Sequence, residues 1–345
     1  MTGWTDVERE LTALAEQDRF SGSVLVAQGD RTLLACAVGA ADRASGTPVT
    51  AGTRFALASL SKMFTAAAVL SCVRDGLLAP GDRVVDLVPA ERRPRTMADE
   101  VTVHHLLTHS SGIGDYAEED EDVANYVEDY GSLWVDRPAY SMERPLDFLP
   151  MYADAPAVMA PGTGFHYSNA GYVLLGQILE EVTGQSVVEA ITDRAMVPAG
   201  MADSGYFRLD EAHPDVAVGY LPREPGSPSR TNVFSVPVVG GGDGGAFATA
   251  GDIDRFLRAI ATGRLLGDDL TVLMQTRHVP ITEGFWIGYG LFLRADGSLG
   301  HGGGDPGVET MARHWPDRDL TIVVLCNVED ALTPVWELLL SAAAA

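Results

Sequence analysis

Ser59 and Lys62, three positions apart, pose the first chemical question in this chain. A serine hydroxyl is a weak nucleophile until a neighbouring base takes its proton. A lysine becomes such a base when burial or nearby cationic and dipolar groups remove its own proton. Lys62 is the one lysine among 24 basic residues, and all the others are arginine, which stays protonated under ordinary conditions and cannot do this. Residues three apart share one face of a helix, so the two side chains can meet. Ser59 would also stand near a helix N-terminus, whose dipole favours an alkoxide or oxyanion. The competing reading is a lysine that only snorkels or pairs with a carboxylate.

Two later segments carry further polar groups. Phe165-His166-Tyr167-Ser168-Asn169 follows the turn-rich Pro161-Gly162-Thr163-Gly164 and precedes a helix predicted to start near Ala170. Tyr167 and Asn169 could both point into one cleft from a loop, or belong to a purely structural turn. Gly300-His301-Gly302-Gly303-Gly304-Asp305-Pro306-Gly307 lies just before a strand. Clustered glycines let backbone approach a ligand and leave N–H groups free for an oxyanion, or else make a plain flexible hairpin. Gly240-Gly241-Gly242-Asp243-Gly244-Gly245 invites the same two readings.

These groups need elements to hold them. Ala56 to Gly76 is apolar on most sides (Leu57, Leu60, Met63, Phe64, Ala66 to Leu70, Val73), the pattern of a core helix. Val7, Leu11, Leu14 and Ala15 predict an opening amphipathic helix over 5–18, and Gly22 to Ala27 with Thr32 to Val38 predict an antiparallel hairpin. Gly288 to Leu293, Met311 to Trp315 and Leu320 to Asn327 read as strands, followed by a helical tail from about Leu332. Strands at both ends around a mostly helical middle predict a single domain, 1–345, of two lobes. One is an α/β lobe of about 1–78 and 240–345; the other is an inserted helical lobe of about 79–239. Pro222 to Ser229 reads as a surface loop.

In chain order, Ser59-Leu60-Ser61-Lys62, Tyr167-Ser168-Asn169 and His301-Gly302-Gly303 resemble the three signature elements of the penicillin-recognising serine enzymes. This superfamily includes class C β-lactamases, D-Ala-D-Ala carboxypeptidases, D-aminopeptidases and β-lactamase-like esterases. Leu106-Leu107-Thr108-His109-Ser110-Ser111-Gly112, Pro161-Gly162-Thr163 and Gly244-Gly245-Ala246-Phe247-Ala248-Thr249-Ala250-Gly251-Asp252 look like the family too, so the resemblance spans roughly residues 20 to 330.

The resemblance implies a β-lactamase/transpeptidase-like α/β (α+β) fold: an antiparallel sheet flanked by helices plus an inserted helical lobe, with the site between them. It casts Ser59 as the acylated nucleophile, Lys62 as its proton-transfer partner, Tyr167 as phenolate or relay, and Asn169 as a substrate-positioning residue. The backbone N–H groups of Ser59 and Gly304 would form the oxyanion hole, with His301 and Gly303 in the substrate wall. No metal or organic cofactor is implied. From the residues alone, a lysine ammonium within about 4–6 Å would lower the pKa of the Tyr167 phenol by roughly 1–3 and make it a usable base. Gly-x-Ser-x-Gly and His-Glu-x-x-His are absent, which removes the α/β-hydrolase and zinc-protease readings.

The third element departs from the Lys-Thr-Gly of many β-lactamases. His301-Gly302-Gly303 lacks the hydroxyl, and its charge depends on pH, which weakens the case for binding a substrate carboxylate. A net charge of −24 excludes nucleic acid and anionic membrane surfaces as partners. No apolar run approaches the roughly 20 residues of a membrane span. Met1 to Leu11 lacks the basic start and apolar stretch of a secretory signal, which leads to an expectation of a cytoplasmic protein. Cys36, Cys72 and Cys326 read as buried free thiols. Asp115 to Asp129 includes Glu118-Glu119-Asp120-Glu121-Asp122 and Glu128-Asp129; it is either a solvated loop or a cleft border that attracts a substrate amine. The reading is a serine hydrolase acting through an acyl-enzyme on a small ester or amide. An intracellular acyltransferase or tailoring enzyme and a non-catalytic binding protein on this fold are the alternatives.

Overall fold

A computed structural model describes residues 3–123, 126–223 and 227–344. Its centre is an eight-stranded antiparallel sheet built from both ends of the chain. The strands are β1 (Gly22–Gln28), β2 (Arg31–Val38), β3 (Val279–Thr282), β4 (Phe285–Ile287), β5 (Phe292–Arg294), β6 (Leu299–Asp305), β7 (Val308–Trp315) and β8 (Leu320–Cys326). Their order is β2-β1-β8-β7-β6-β5-β4-β3, so the N-terminal hairpin joins the C-terminal strands through β1 against β8.

All seven residues of β8 are buried, which explains an apolar run with no polar alternation: helices cover both faces of the sheet. On one face, Ile322 and Val324 pack with Val24 and Val26 against α1 (Trp4–Glu16) and the C-terminal helix Leu332–Ala343, through Val7, Leu11, Val335 and Leu339. On the other, Val323 and Leu325 join the larger hydrophobic cluster with Phe64, Ile253, Phe256 and Leu257. Each such side chain contributes about 1.5–3 kcal/mol by leaving water.

Of three helices on that side of the sheet, two carry site residues and the third covers the strands. Helix α2 (Lys62–Arg74) is buried at every residue from Lys62 to Cys72 and is preceded by a 3₁₀ turn at Ala58–Ser61. The expected helix from Ala56 to Gly76 is thus shorter, and its first turn is wound more tightly. Helix α3 (Asn169–Thr183) packs on α2. It is capped by Ser168, whose hydroxyl accepts from Gly171 N, and closed by Gly184 at φ 69°. Helix α4 (Ala250–Ala261) lies on β1 and β8. Segment 79–239 supplies mostly short helices and loops, and it shares one continuous hydrophobic cluster with α2, α4 and the sheet.

Several sequence expectations shift. Of Gly288 to Leu293, only Phe292 and Leu293 are strand. Gly288 to Gly290 forms a turn in which Gly290, at φ 64°, leaves a would-be Cβ only 2.7 Å from Ala66 Cβ. Strands β3 and β4 were not anticipated; they are short, and β3 carries Pro280 and a register shift at the sheet edge. The run Gly300 to Gly304 is ordered strand, not a flexible hairpin. All three cysteines are free and buried. Residues 224–226 of the expected surface loop and 124–125 of the acidic segment lie outside the described residues. Among the described residues, no helix is long and apolar enough to cross a membrane.

Candidate active site

Ala58 sits at φ 48° in the left-handed region, where a non-glycine residue costs roughly 1–2 kcal/mol. Its carbonyl accepts from Ser61 Oγ (2.8 Å), and Ser61 Oγ in turn accepts from Ala246 N (3.1 Å), so the surroundings hold the turn in that conformation. The turn presents Ser59, partly exposed, to a cavity of about 810 Å³.

Beneath it, Lys62 is 0% exposed and its Nζ has three oxygen neighbours: Ser59 Oγ at 2.8 Å, Asn169 Oδ1 at 2.7 Å and the Asp243 carbonyl at 2.6 Å. The last two can only accept, so they take two N–H groups. The third position, toward Ser59, holds an N–H in the ammonium and a lone pair in the neutral amine. Burial lowers the Lys62 pKa, opposed first by the charge of Asp243 and then by Glu119, Asp115 and Asp305. The neutral form fits this cage with every polar atom matched and its lone pair aimed at the serine hydroxyl.

Tyr167 stands beside Ser59, and its ring lies 5.0 Å from Lys62 Nζ and stacks on His109 at 4.5 Å. The expectation that Lys62 would draw the phenol down does not hold. Burial, with Glu119, pushes the Tyr167 pKa well above its usual value and outweighs the opposing effect of Ser59, so Tyr167 is a neutral phenol. His109 accepts from Ser168 N at Nδ1 (3.0 Å), which ties the Tyr167 loop to the Leu106–Gly112 segment.

Asn169 opens α3 and joins two walls: Oδ1 faces Lys62, and Nδ2 donates to Glu119 Oε1 (3.3 Å). Gly303 lies on the nucleophile turn, where a Cβ would stand 2.3 Å from Leu57 O and 2.9 Å from Ser59 N. Only glycine lets the strand lie there. Gly304 lines the cavity beside Ser59 with open space on its Cβ side.

His301 is placed differently from its expected part in the substrate wall. It is 2% exposed, its ring lies against Phe292 at 4.6 Å, and it is not among the residues lining the cavity. Its Nδ1 donates to Gly302 O, and burial drives its pKa to about 3, so no pH-dependent charge is offered to a ligand near neutrality.

The acidic segment divides. Asp115 turns inward, accepting from Tyr116 N, Ala117 N, Asn169 N and Ala170 N, and Glu118 is buried against His166 Nε2 (2.9 Å). Asp120 to Asp122 is exposed, whereas Glu119, Glu128 and Asp129 line the cavity. Asp243, Asp305, Glu309 and Glu329 line it too, with Arg230 as the one Lys or Arg there among the described residues. Sequence reasoning singled out neither Asp243 nor Asp305. The available signal was the placement of each inside or beside a glycine cluster. The Gly240–Gly245 run is close-packed: a Cβ on Gly242 would stand 2.3 Å from Tyr172 O, and Thr65 Oγ1 donates to Gly242 O (2.6 Å), fixing the Asp243 carbonyl over Lys62. Among the described residues, no group of three or more His, Cys, Asp or Glu is arranged to hold a metal ion.

Comparison with known proteins places this geometry. The crystal structure of a penicillin binding protein from Bacillus halodurans superimposes with a TM-score of 0.88 at 35% identity, over 96% of this chain and 99% of the other. Esterase EstB of Burkholderia gladioli is 34% identical over 72% of this chain and 67% of its own length. Penicillin-binding protein 4* of Bacillus subtilis (strain 168) is 29% identical over 92% of this chain and 70% of its own length. The family model described as Beta-lactamase matches residues 5–343. With that match across nearly the whole chain, and with the sheet, helices and serine turn arranged as described, the protein belongs to the beta-lactamase family and is a hydrolase of that kind.

Proposed function

We propose that this protein cleaves a small ester or amide through an acyl-enzyme on Ser59, with Lys62 as the general base. The observation that carries this reading is the Lys62 cage: two carbonyl acceptors and the serine oxygen within 2.6–2.8 Å of a fully buried amine. Ser59 Oγ attacks the substrate carbonyl carbon while its proton passes to Lys62 Nζ. The carbonyl oxygen gathers negative charge between the backbone N–H groups of Ser59 and Gly304. When the tetrahedral intermediate collapses, the leaving group departs with a proton that Lys62 returns through the Tyr167 hydroxyl. Water then attacks the acyl group with the same proton route reversed, restoring Ser59 Oγ–H.

The cavity wall supports a cationic substrate. Glu119, Glu128, Asp129 and Asp305 face it against a single arginine, and charge of one sign in a cleft concentrates the opposite sign. The relation to an esterase supports ester chemistry. A second reading, acyl transfer to an amine or alcohol, is favoured by the cavity of about 810 Å³, which has room for an acyl group and an acceptor together.

Intact-protein mass after rapid quenching with a small activated ester, beside Ser59→Ala, tests the core of the proposal. An acyl-sized increment on the wild type alone is expected. The same increment on Ser59→Ala, or none on either with no ester turnover, would overturn it.

A further inference from the structure

Between the base and the cleft, the structure closes a circuit of hydrogen bonds that the acyl-enzyme reading does not require. Tyr116 donates its hydroxyl to Asp243 Oδ2 (2.5 Å), while the backbone carbonyl of the same aspartate accepts from Lys62 Nζ (2.6 Å). Tyr116 is itself anchored by Asp115, which accepts Tyr116 N (2.6 Å) and Asn169 N (2.5 Å). Asn169 then returns to Lys62 through Oδ1 (2.7 Å). Both carbonyl acceptors of Lys62 are thus held from Asp115 outward, one through Asn169 and the other through Tyr116.

Asp243 plays two opposed parts in this circuit. Its carbonyl takes an N–H from the amine, which helps to orient the lone pair toward Ser59. Its carboxylate is the strongest of the charges that favour the ammonium, the form that cannot accept the serine proton. A hydroxyl bound to that carboxylate disperses its charge and holds its oxygen on the tyrosine side. Tyr116 is 4% exposed, and burial together with Asp243 holds its phenol protonated, so it donates across the ordinary pH range.

We propose that Tyr116 is a positioning residue for acylation in this protein, holding Asp243 so that its carbonyl orients Lys62 while its carboxylate is restrained from acting on Lys62. The proposal rests on Lys62 being the base. The groups that face Lys62 are known from every side. The nucleophile turn brings Ser59, and the loop before α3 brings Tyr167 and Asn169. The Tyr172 ring on α3 lies 5.7 Å away. Glu119 and Asp243 act on it as negative charges, and so do Asp115 and Asp305 above about pH 7, to which burial raises both carboxyls. His109 and His301, both driven neutral by burial, add no standing charge near neutrality. Of the four carboxylates, Asp243 is the one whose side chain accepts a tyrosine hydroxyl. Asp115 is saturated by backbone N–H groups, Glu119 takes the Asn169 amide, and Asp305 has no hydrogen-bond donor among the described residues.

The test is the pH dependence of kcat/KM for acylation by a small neutral activated ester in wild type, Tyr116→Phe and Asp243→Asn, with a thermal melt of each. Freeing the carboxylate stabilises the ammonium, so Tyr116→Phe should move the acidic limb up by about half a unit to one unit. That is roughly a three- to tenfold loss on the acidic limb with the plateau kept within about threefold. Asp243→Asn removes the charge and should move the limb down. Opposite displacements from the two ends of one hydrogen bond would bear the proposal out. A uniform loss at every pH in Tyr116→Phe, with the limb unmoved, would overturn it and leave Tyr116 a packing residue. A limb that stays fixed in Asp243→Asn would overturn it even if Tyr116→Phe folded poorly. The wild-type acyl increment, lost in Ser59→Ala, keeps the two failures apart. If it is present while the limbs stay fixed, only the role of Tyr116 falls; if it is absent in wild type, the acyl-enzyme reading falls and takes this proposal with it.

Discussion

The floor of the cleft and its mouth are built on opposite rules. At the floor the groups around the amine are paired: Lys62 Nζ meets three oxygens, Asn169 uses both ends of its amide, and Asp115 is saturated by backbone donors. At the mouth, carboxylates stand with few partners or none. Asp305 accepts no hydrogen bond among the described residues, and Glu119 takes one long one. Preorganised dipoles in a dry site act on the reaction at no cost in reorganisation at the moment of transfer. Loosely held charges in a wet site attract a ligand without fixing its pose. On the proposed acyl-enzyme reading, the floor governs rate and the mouth governs which substrate arrives.

Lys62→Arg strikes the floor hardest. Guanidinium keeps its proton and is too large for a cage set by contacts of 2.6–2.8 Å, so acylation should fall by about 10²–10⁴-fold. Burst acylation by an activated ester reads this directly, and near-normal bursts would remove Lys62 from proton transfer. Next comes the strand beneath the nucleophile. Gly303→Ala puts a Cβ 2.3 Å from Leu57 O, so the turn must move, and a displacement of about 1 Å there is worth about a hundredfold in kcat/KM. At Gly304 a Cβ meets no atom within 4 Å, so the melting temperature of Gly304→Ala should match wild type while that of Gly303→Ala falls. Equal melts for the two variants would mean that the turn does not lean on the strand as described.

The floor was far more legible in the sequence than the mouth. Ser59, Lys62, Tyr167 and Asn169 could be found because each acts through its side chain and spacing reveals it. Asp243 reaches Lys62 through its backbone carbonyl, and a carbonyl has no letter in a sequence. His301 misled for the converse reason. Set among glycines it reads as an exposed loop residue, yet those glycines are strand positions whose missing side chains admit the neighbouring turn, leaving His301 buried. The acidic segment could not be divided in advance, because Asp115 and Asp120 differ only in whether a helix N-terminus from elsewhere in the chain comes to meet them. The opening helix was readable from its periodicity, and the hairpin and β8 from short β-type runs, all of which are set locally. The short strands β3 and β4 at one end of the sheet were not, because tertiary pairing defines them.

The mouth can be tested without touching the floor. A cationic ester should be turned over about fivefold faster than its neutral analogue at low salt, since one unit-charge pair at 4 Å in water is worth about 1 kcal/mol. The ratio should shrink toward one in 0.5–1 M salt, where the Debye length falls to roughly 3–4 Å. Glu128→Gln should lower the ratio while leaving the neutral ester nearly unaffected, as kcat/KM for the two esters in both proteins would show. Equal rates at low salt in wild type would break the assignment of recognition to the mouth.

The smallest expected effect is one of stability, and it asks whether the mouth is really unfavourable for charge. Burial, against the pull of Lys62 and with the push of Asp243 and Glu119, raises the Asp305 pKa from 3.8 to about 7. A carboxyl raised on folding binds its proton more tightly in the folded chain than in the unfolded one. Its contribution is therefore neutral below about pH 4, turns destabilising as pH climbs from there to about 7, and stays so above. Asp305→Asn removes the ionisation, so the variant should melt roughly 2 °C higher than wild type at pH 8, and the gap should narrow as pH falls and close below about pH 4. Paired thermal melts across that range measure it. A gap that does not change with pH would mean that Asp305 ionises as freely in the folded chain as in the unfolded one. The mouth would then be solvated at Asp305 as well, and its contrast with the buried lysine cage would be sharper.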